Sequence, residues 1–168
     1  MFFDNIPAPL ISVQASSIVC FVPFEVASAT QITVASSGQR SNGFRITVLP
    51  SAPQIMSIAN QDATPNSADH PAKAGSVIAV YVSGLGETSP LSVDGLVNAA
   101  PLPVPLVPVS VFVPGGTPGS APDAVSAAIG LIAGITQVNV RLPATISTTN
   151  NAVVVGVNSA SATVYVTQ

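Results

Sequence analysis

The sequence has few charged side chains and almost no histidine, cysteine or tryptophan. Its 168 residues include 4 basic and 7 acidic side chains, one histidine, one cysteine and no tryptophan, for a net charge of −3. The charged fraction of 7% is far below the roughly 25% typical of soluble domains. The basic residues Arg40, Arg45, Lys73 and Arg141 are scattered, which excludes nucleic-acid binding through a basic patch. The lone Cys20 excludes a scaffold of intramolecular disulfides.

The sequence also lacks an apolar run that could span a bilayer, although 48% of its residues are hydrophobic. That apolar content excludes a disordered chain. Prolines interrupt the longest apolar stretch, 102–114, and the next, 127–135, is too short for about 30 Å of hydrocarbon. We therefore expect no membrane insertion. No signal-peptide pattern opens the chain, and residues 1–4 resemble the middle of a strand, so we expect the numbering to begin inside a longer precursor.

Strand patterns dominate what is present. Runs rich in Val, Ile, Thr and Ser recur about every ten residues, with Gly, Pro and Asn turn clusters between them. These runs are 2–3, 10–13, 18–22, 31–35, 44–49, 76–83, 107–113, 137–142, 152–157 and 162–167. Only residues 121–128 favour a helical turn. Many short strands with regular turns predict an all-β fold of the sandwich type.

An internal repeat divides the chain. Residues 11–23 resemble residues 129–143, and a connector, a strand, a turn and a closing strand follow each of them. The repeat predicts two tandem β-sandwich units, 1–52 and 53–168, with a connector over 53–74 at the start of the second. The section 53–86 has no counterpart in the first unit. We therefore expect the first unit to lack its opening strands.

An ordered series of short motifs runs along nearly the whole chain. The motifs are Phe3-Asp4-Asn5-Ile6-Pro7-Ala8-Pro9-Leu10, Val22-Pro23-Phe24-Glu25-Val26-Ala27, Ser41-Asn42, Gly84-Leu85-Gly86, Thr88-Ser89-Pro90, Asp94-Gly95 and Gln137-Val138-Asn139-Val140-Arg141-Leu142-Pro143. Together they resemble the uncharacterised C-terminal domain that is abundant in proteins of Solibacter and other Acidobacteria. Each unit also resembles an immunoglobulin-like IPT/TIG unit, whose opening pattern is matched by Pro53 with Ile55 and by Gly75 with Gly84. The resemblance implies immunoglobulin-like sandwich units in a secreted multidomain protein with no established activity.

Few residues offer chemistry, and each has a structural interpretation. His70 follows Asp69 in a loop pattern, and no second histidine completes a catalytic or metal set, so we expect a solvated loop residue. Cys20 lies in a strand pattern and is expected to be a buried small hydrophobe. Lys73, which would need a strand position to form an isopeptide crosslink, falls in the connector. The segment 84–86 precedes no helix and predicts a turn, not a phosphate-binding loop.

The acidic residues show no metal-binding pattern. They are Asp4, Glu25, Asp62, Asp69, Glu87, Asp94 and Asp123. Their wide spacing contains no calcium-binding loop. We therefore predict no catalytic residue, no cofactor-binding residue and no metal ligand.

The two repeated strands differ on their outward faces. When they are aligned, the inward sets are Ile18, Cys20 and Val22 in the first unit and Val138, Val140 and Leu142 in the second. The outward sets are Ser17, Val19 and Phe21 in the first unit and Gln137, Asn139 and Arg141 in the second. A half-buried strand alternates apolar and polar residues, but the first strand is apolar on both faces.

We therefore expect the outer face of the first strand to be covered by the second unit, by an N-terminal segment or by another molecule. The candidate inter-subunit or inter-domain contacts are Phe2, Phe3, Val19 and Phe21. An incomplete sandwich also leaves an open strand edge, which accepts a strand from a neighbour.

These features favour a non-enzymatic structural or assembly module on the outside of a bacterial cell. We expect it to associate with copies of itself, as a filament or surface-layer subunit, or with neighbouring domains of a longer chain. The alternative is a spacer or a ligand-binding accessory module, for example one that binds polysaccharide. Sugar sites usually present exposed aromatics, and a chain with no tryptophan and only Tyr81 and Tyr165 as tyrosines argues against that alternative.

Overall fold

The computed structural model describes residues 1–168 and consists of β-strands, turns and loops without helices. The N-terminal unit, residues 1–52, contains β1 (Phe2–Phe3), β2 (Ile6–Pro7), β3 (Leu10–Val13), β4 (Ile18–Cys20), β5 (Ala29–Thr33), β6 (Ala35–Ser36), β7 (Gln39–Arg40) and β8 (Phe44–Thr47). The C-terminal unit, residues 53–168, contains β9 (Gln54–Ala59), β10 (Ala72–Lys73), β11 (Val77–Ser83), β12 (Thr88–Ser89), β13 (Val104–Pro105), β14 (Val111–Phe112), β15 (Ala124–Ala127), β16 (Ile135–Arg141), β17 (Ala152–Val157) and β18 (Ala160–Thr167).

The predicted all-β, sandwich-like fold class is confirmed. The structure contains no helix that could cross a membrane.

The C-terminal unit holds the hydrophobic core between two four-stranded sheets. Their strand orders are β15-β16-β11-β9 and β10-β18-β17-β14. Successive side chains along a strand point to opposite faces, so alternate residues of β11 (Ile78, Val80 and Val82) are fully buried. The core contains 16 buried residues, drawn from strands of both sheets and all lying within the C-terminal unit.

The N-terminal unit has almost no core of its own. It contains the four-stranded sheet β2-β1-β5-β8, the two-stranded ribbon β3-β4 and the small hairpin β6-β7. Four of its 52 residues are buried (Phe3, Ala8, Pro23 and Thr30), against 26 of the remaining 116. Its strands therefore gain little stabilisation from burial within residues 1–52.

The N-terminal strands correspond in pairing to the last five strands of the C-terminal unit. β5 pairs with β8 as β17 pairs with β18, and β1 pairs with β5 as β14 pairs with β17. The ribbon β3-β4 corresponds in the same way to β15-β16. Strands β9, β10 and β11 have no counterpart in the N-terminal unit, which is therefore a partial version of the C-terminal sandwich.

Three sequence-based expectations about the strands are wrong. Residues 53–74 are not a plain connector, because they contain β9 and β10. Lys73 lies in β10, a strand of two residues that exists only through its parallel pairing with β18. Residues 121–128 form no helical turn but include β15, which pairs antiparallel with β16. In each case pairing with another strand overrides the local pattern.

The linker between the units lies against residues 84–86, which follow β11 and do not form the turn that the sequence predicts. The Ala52 N–H donates to the Gly84 carbonyl at 2.8 Å. A side chain at Gly84 would clash with the Ala52 carbonyl oxygen, and one at Gly86 would clash with the Pro50 carbonyl oxygen. Both glycines also have positive φ, 75° and 83°. Glycine is therefore required here for conformation and for the close approach of the linker.

We expect Gly86→Ala to destabilise the chain by about 2–4 kcal/mol, because it adds a backbone clash to the strain of positive φ. Gly38→Ala is the matched control, since Gly38 has φ 77° and no atom near its added Cβ. That control should lose only about 1–2 kcal/mol. Urea unfolding measures both losses, and equal losses would contradict the close approach of the linker.

Candidate interaction surface

Strands β3 and β4 form an exposed apolar ribbon. Val13 pairs with Ile18 and Ser12 pairs with Val19, and the two members of a cross-strand pair share a face. Val13 is 63% exposed and Val19 is 50% exposed. Large apolar side chains are therefore exposed on both faces of the ribbon.

The other three predicted contact residues lie at different places. Phe3 is buried within the N-terminal unit, and Phe2 is half-buried beneath the Arg40 guanidinium, whose carbon lies 4.3 Å from the ring centroid. Phe21 reaches the C-terminal unit, where a Cβ added at Gly134 would lie 3.1 Å from its ring. The predicted set is therefore not one patch: it divides into core, exposed ribbon and contact between units.

The inward sets are only partly as predicted. In the C-terminal unit all three residues are buried: Val138, Val140 and Leu142. In the N-terminal unit Ile18 and Cys20 are half-buried, but Val22 is 46% exposed. Strand β4 ends at Cys20, so the strand alternation that placed Val22 inward does not extend to it.

The outward face of β16 has the polar contacts that β4 lacks. The Gln137 side-chain amide donates to the Asn139 side-chain oxygen at 2.9 Å. Arg141 forms an ion pair with Asp123 at 2.7 Å. The same face of β4 carries Val19, which has no polar group to contribute.

Cys20, the last residue of β4, is half-buried in the N-terminal unit. Its thiol is 3.5 Å from the Met1 sulfur. Burial raises the pKa of the Cys20 thiol, which disfavours the reactive thiolate. This residue therefore acts as a packing group.

The loop that contains His70 is closed by hydrogen bonds. The Thr64 N–H and hydroxyl donate to the Asp62 carboxylate at 3.1 and 2.6 Å, and they lower the pKa of that carboxyl. The Asn60 side-chain amide donates to the His70 carbonyl at 2.8 Å. Neither this loop nor any other part of the chain brings together three or more histidine, cysteine or acidic residues that could hold a metal ion.

A carboxyl pair at the contact between the units was not predicted. The Phe24 N–H donates to an Asp94 carboxylate oxygen at 3.2 Å, across 70 residues of sequence. Burial raises the pKa of the Asp94 carboxyl, and the neighbouring negative charge of Glu25 raises it further. The two acids line a shallow cleft of about 510 Å³ together with residues 6–9 and Gly95. Nothing in the sequence signals this pairing, because the two acids come from different units.

Comparisons with known proteins identify no family for the chain. No protein-family model, curated protein or solved structure matches the chain. The resemblance to the Solibacter C-terminal domain therefore rests on the motifs alone and stays a prediction.

The raised pKa of Asp94 predicts how the stability of the chain depends on pH. In the unfolded chain this carboxyl ionises near its ordinary pKa of about 3.9, whereas the folded chain keeps the proton to higher pH. Stability should therefore fall as the pH rises from about 4 through the folded pKa, and level off above it. The lowered pKa values of Asp4 and Asp62 act in the opposite direction, below about pH 4.

The Asp94→Asn variant tests this dependence, because it keeps an oxygen to accept the Phe24 N–H but cannot ionise. Its stability should change less with pH above pH 4 than that of the natural chain. Thermal unfolding at a series of pH values measures the difference. Identical pH profiles for the two proteins would contradict the assignment.

Proposed function

We propose that the chain is a non-enzymatic structural module of a bacterial cell-surface protein, and that it associates with copies of itself through the N-terminal unit. The observation that carries the proposal is the apolar ribbon β3-β4. Its strands pair only with each other, and it exposes apolar side chains on both faces. An unpaired strand edge with apolar neighbours is a template for pairing with another chain.

The distribution of exposed apolar side chains supports this proposal. Seven large apolar residues are exposed among the first 52, against eleven among the other 116. Those of the N-terminal unit are Leu10, Ile11, Val13, Val19, Val22, Phe44 and Leu49. Full burial of an exposed apolar side chain contributes about 1.5–3 kcal/mol, and each of these partly exposed residues would contribute the share that corresponds to its remaining exposed surface.

The low charge of the chain supports association in a second way. With 11 charged side chains and a net charge of −3, copies of the chain repel one another weakly. The proposed cell-surface location rests on the motif resemblance and on this low content of charged side chains. The same features suit a subunit of a filament or a surface layer.

A spacer or ligand-binding accessory module is the second candidate. The cleft between the units, with Asp94 and Glu25 in its wall, is the observation that favours it. No aromatic residue lines this cleft, so a sugar would find no ring to stack on there. A chain that stays monomeric at all concentrations would favour this candidate over self-association.

We expect Val19→Lys to weaken self-association by about tenfold or more, because it removes an apolar contact and adds a charge at the ribbon. Val154→Lys is the matched control, since Val154 is 51% exposed on β17 in the C-terminal unit. Light scattering over a concentration series measures the assembly mass, and negative-stain electron microscopy gives its shape.

Two results would overturn the proposal. One is a natural chain that remains a monomer throughout the concentration series. The other is an assembly that both lysine variants weaken equally, since the N-terminal ribbon would then have no special part in it. Thermal unfolding of each variant checks that the substitution leaves the fold intact.

A further inference from the structure

Two open strand edges of the N-terminal unit have equivalents that are covered in the C-terminal unit, and comparison of the two units identifies what each of these edges lacks. The first is the outer edge of β4. In the C-terminal unit the equivalent strand β16 pairs with β15 on one side and with β11 on the other, over seven residue pairs. Strand β4 pairs with β3 alone.

Backbone groups of β4 point toward this empty edge. The Phe21 N–H donates to the Pro9 carbonyl at 3.0 Å, on the β3 side. Successive N–H groups of a strand point to opposite sides, so the Cys20 N–H points away from β3. A backbone carbonyl of a strand in the position of β11 would accept a hydrogen bond from the Cys20 N–H.

The second open edge belongs to β8. Its equivalent, β18, pairs with β17 on one side, and residues 60–74 cover the other side. The Asn66 side chain accepts from the Tyr165 N–H and donates to the Tyr165 carbonyl, both at 2.8 Å. The Ala74 N–H donates to the Thr167 carbonyl at 2.7 Å, and β10 runs parallel beside β18.

Nothing covers the same side of β8. This strand pairs with β5 alone, and the Val48 N–H that follows it donates to the Ser28 carbonyl on the β5 side at 2.8 Å. By the same alternation, the N–H groups of Arg45 and Thr47 point outward. Phe44 at the start of β8 is 70% exposed.

One continuous segment fills both edges in the C-terminal unit. Residues 54–83 contribute β9, β10, β11 and Asn66. We propose that the N-terminal unit binds a polypeptide segment of this same pattern that is not already part of a complete sandwich. One strand of the bound segment runs antiparallel beside β4, and another runs parallel beside β8.

The inference rests on the proposed function, because it uses the same exposed surface, and it names the chemistry of the partner. The segment needs an alternating strand like β11, in which Ile78, Val80 and Val82 are fully buried.

The donor is not the β11 of another folded copy. That strand lies in the middle of its own sheet, and removing it would expose three fully buried apolar side chains, Ile78, Val80 and Val82. The partner must therefore carry a segment of this pattern that is not already part of a complete sandwich.

The test mixes the full chain with residues 53–86 fused to a soluble carrier protein. Amide hydrogen exchange of the full chain should slow by about tenfold or more at Ile18–Cys20 and at Arg45–Thr47. The control carrier has Val80→Asp and Val82→Asp in its segment, which cannot be buried against an apolar face. It should give no slowing.

The outcomes separate this inference from the proposed function. Slowing at both edges with the natural segment alone supports the inference, whether or not the chain self-associates. No slowing, slowing at one edge only, or equal slowing with the control segment overturns it. In those cases light scattering of the chain by itself still decides whether it assembles.

Discussion

The whole structure depends on the requirement that backbone N–H and C=O groups find partners at the edges of the sheets. In the C-terminal unit, residues 54–83 meet this requirement for β16 and β18 and bring the strand β11 into the core at the same time. The fully buried Val80 and Val138 face each other across that pairing. In the N-terminal unit the corresponding strands appear without this segment. Their apolar side chains remain exposed because no second layer covers them, and the surface proposed for assembly is a direct result.

The contacts that hold the N-terminal unit against the C-terminal unit differ in chemistry, as three of them show. The Phe21 ring packs on Gly134, the Phe24 N–H donates to Asp94, and the linker lies on Gly84 and Gly86. Packing and backbone contacts are insensitive to pH, whereas the carboxyl contact is not. The placement of the units therefore combines two fixed contacts with one that responds to acid.

Much of the fold could be predicted from the sequence, because strands with a buried face alternate strictly. The pattern around Val138 and Val140 predicted β16 and its inward residues, and the repeat predicted that the N-terminal unit lacks its opening strands. Local patterns did not predict β10, which depends on pairing with the distant strand β18, or β15, which pairs with the next strand, β16. The pairing of Asp94 with Glu25 was hidden for the same reason, since it arises only when the two units meet. Val22 shows the opposite error: the alternation was extended past the point where β4 ends.

The way the C-terminal strand is held has a mechanical consequence. β18 ends at Thr167, and along its length it is bonded to β17 on one side and to β10 and Asn66 on the other. Tension applied to the C-terminus therefore acts on a strand that hydrogen bonds hold on both flanks, and bonds on both flanks must break before it is released. The N-terminal β8 has bonds on one flank only. Under traction the C-terminal unit is therefore the stronger element of the chain, and a segment bound at the open edges would reinforce the weaker one.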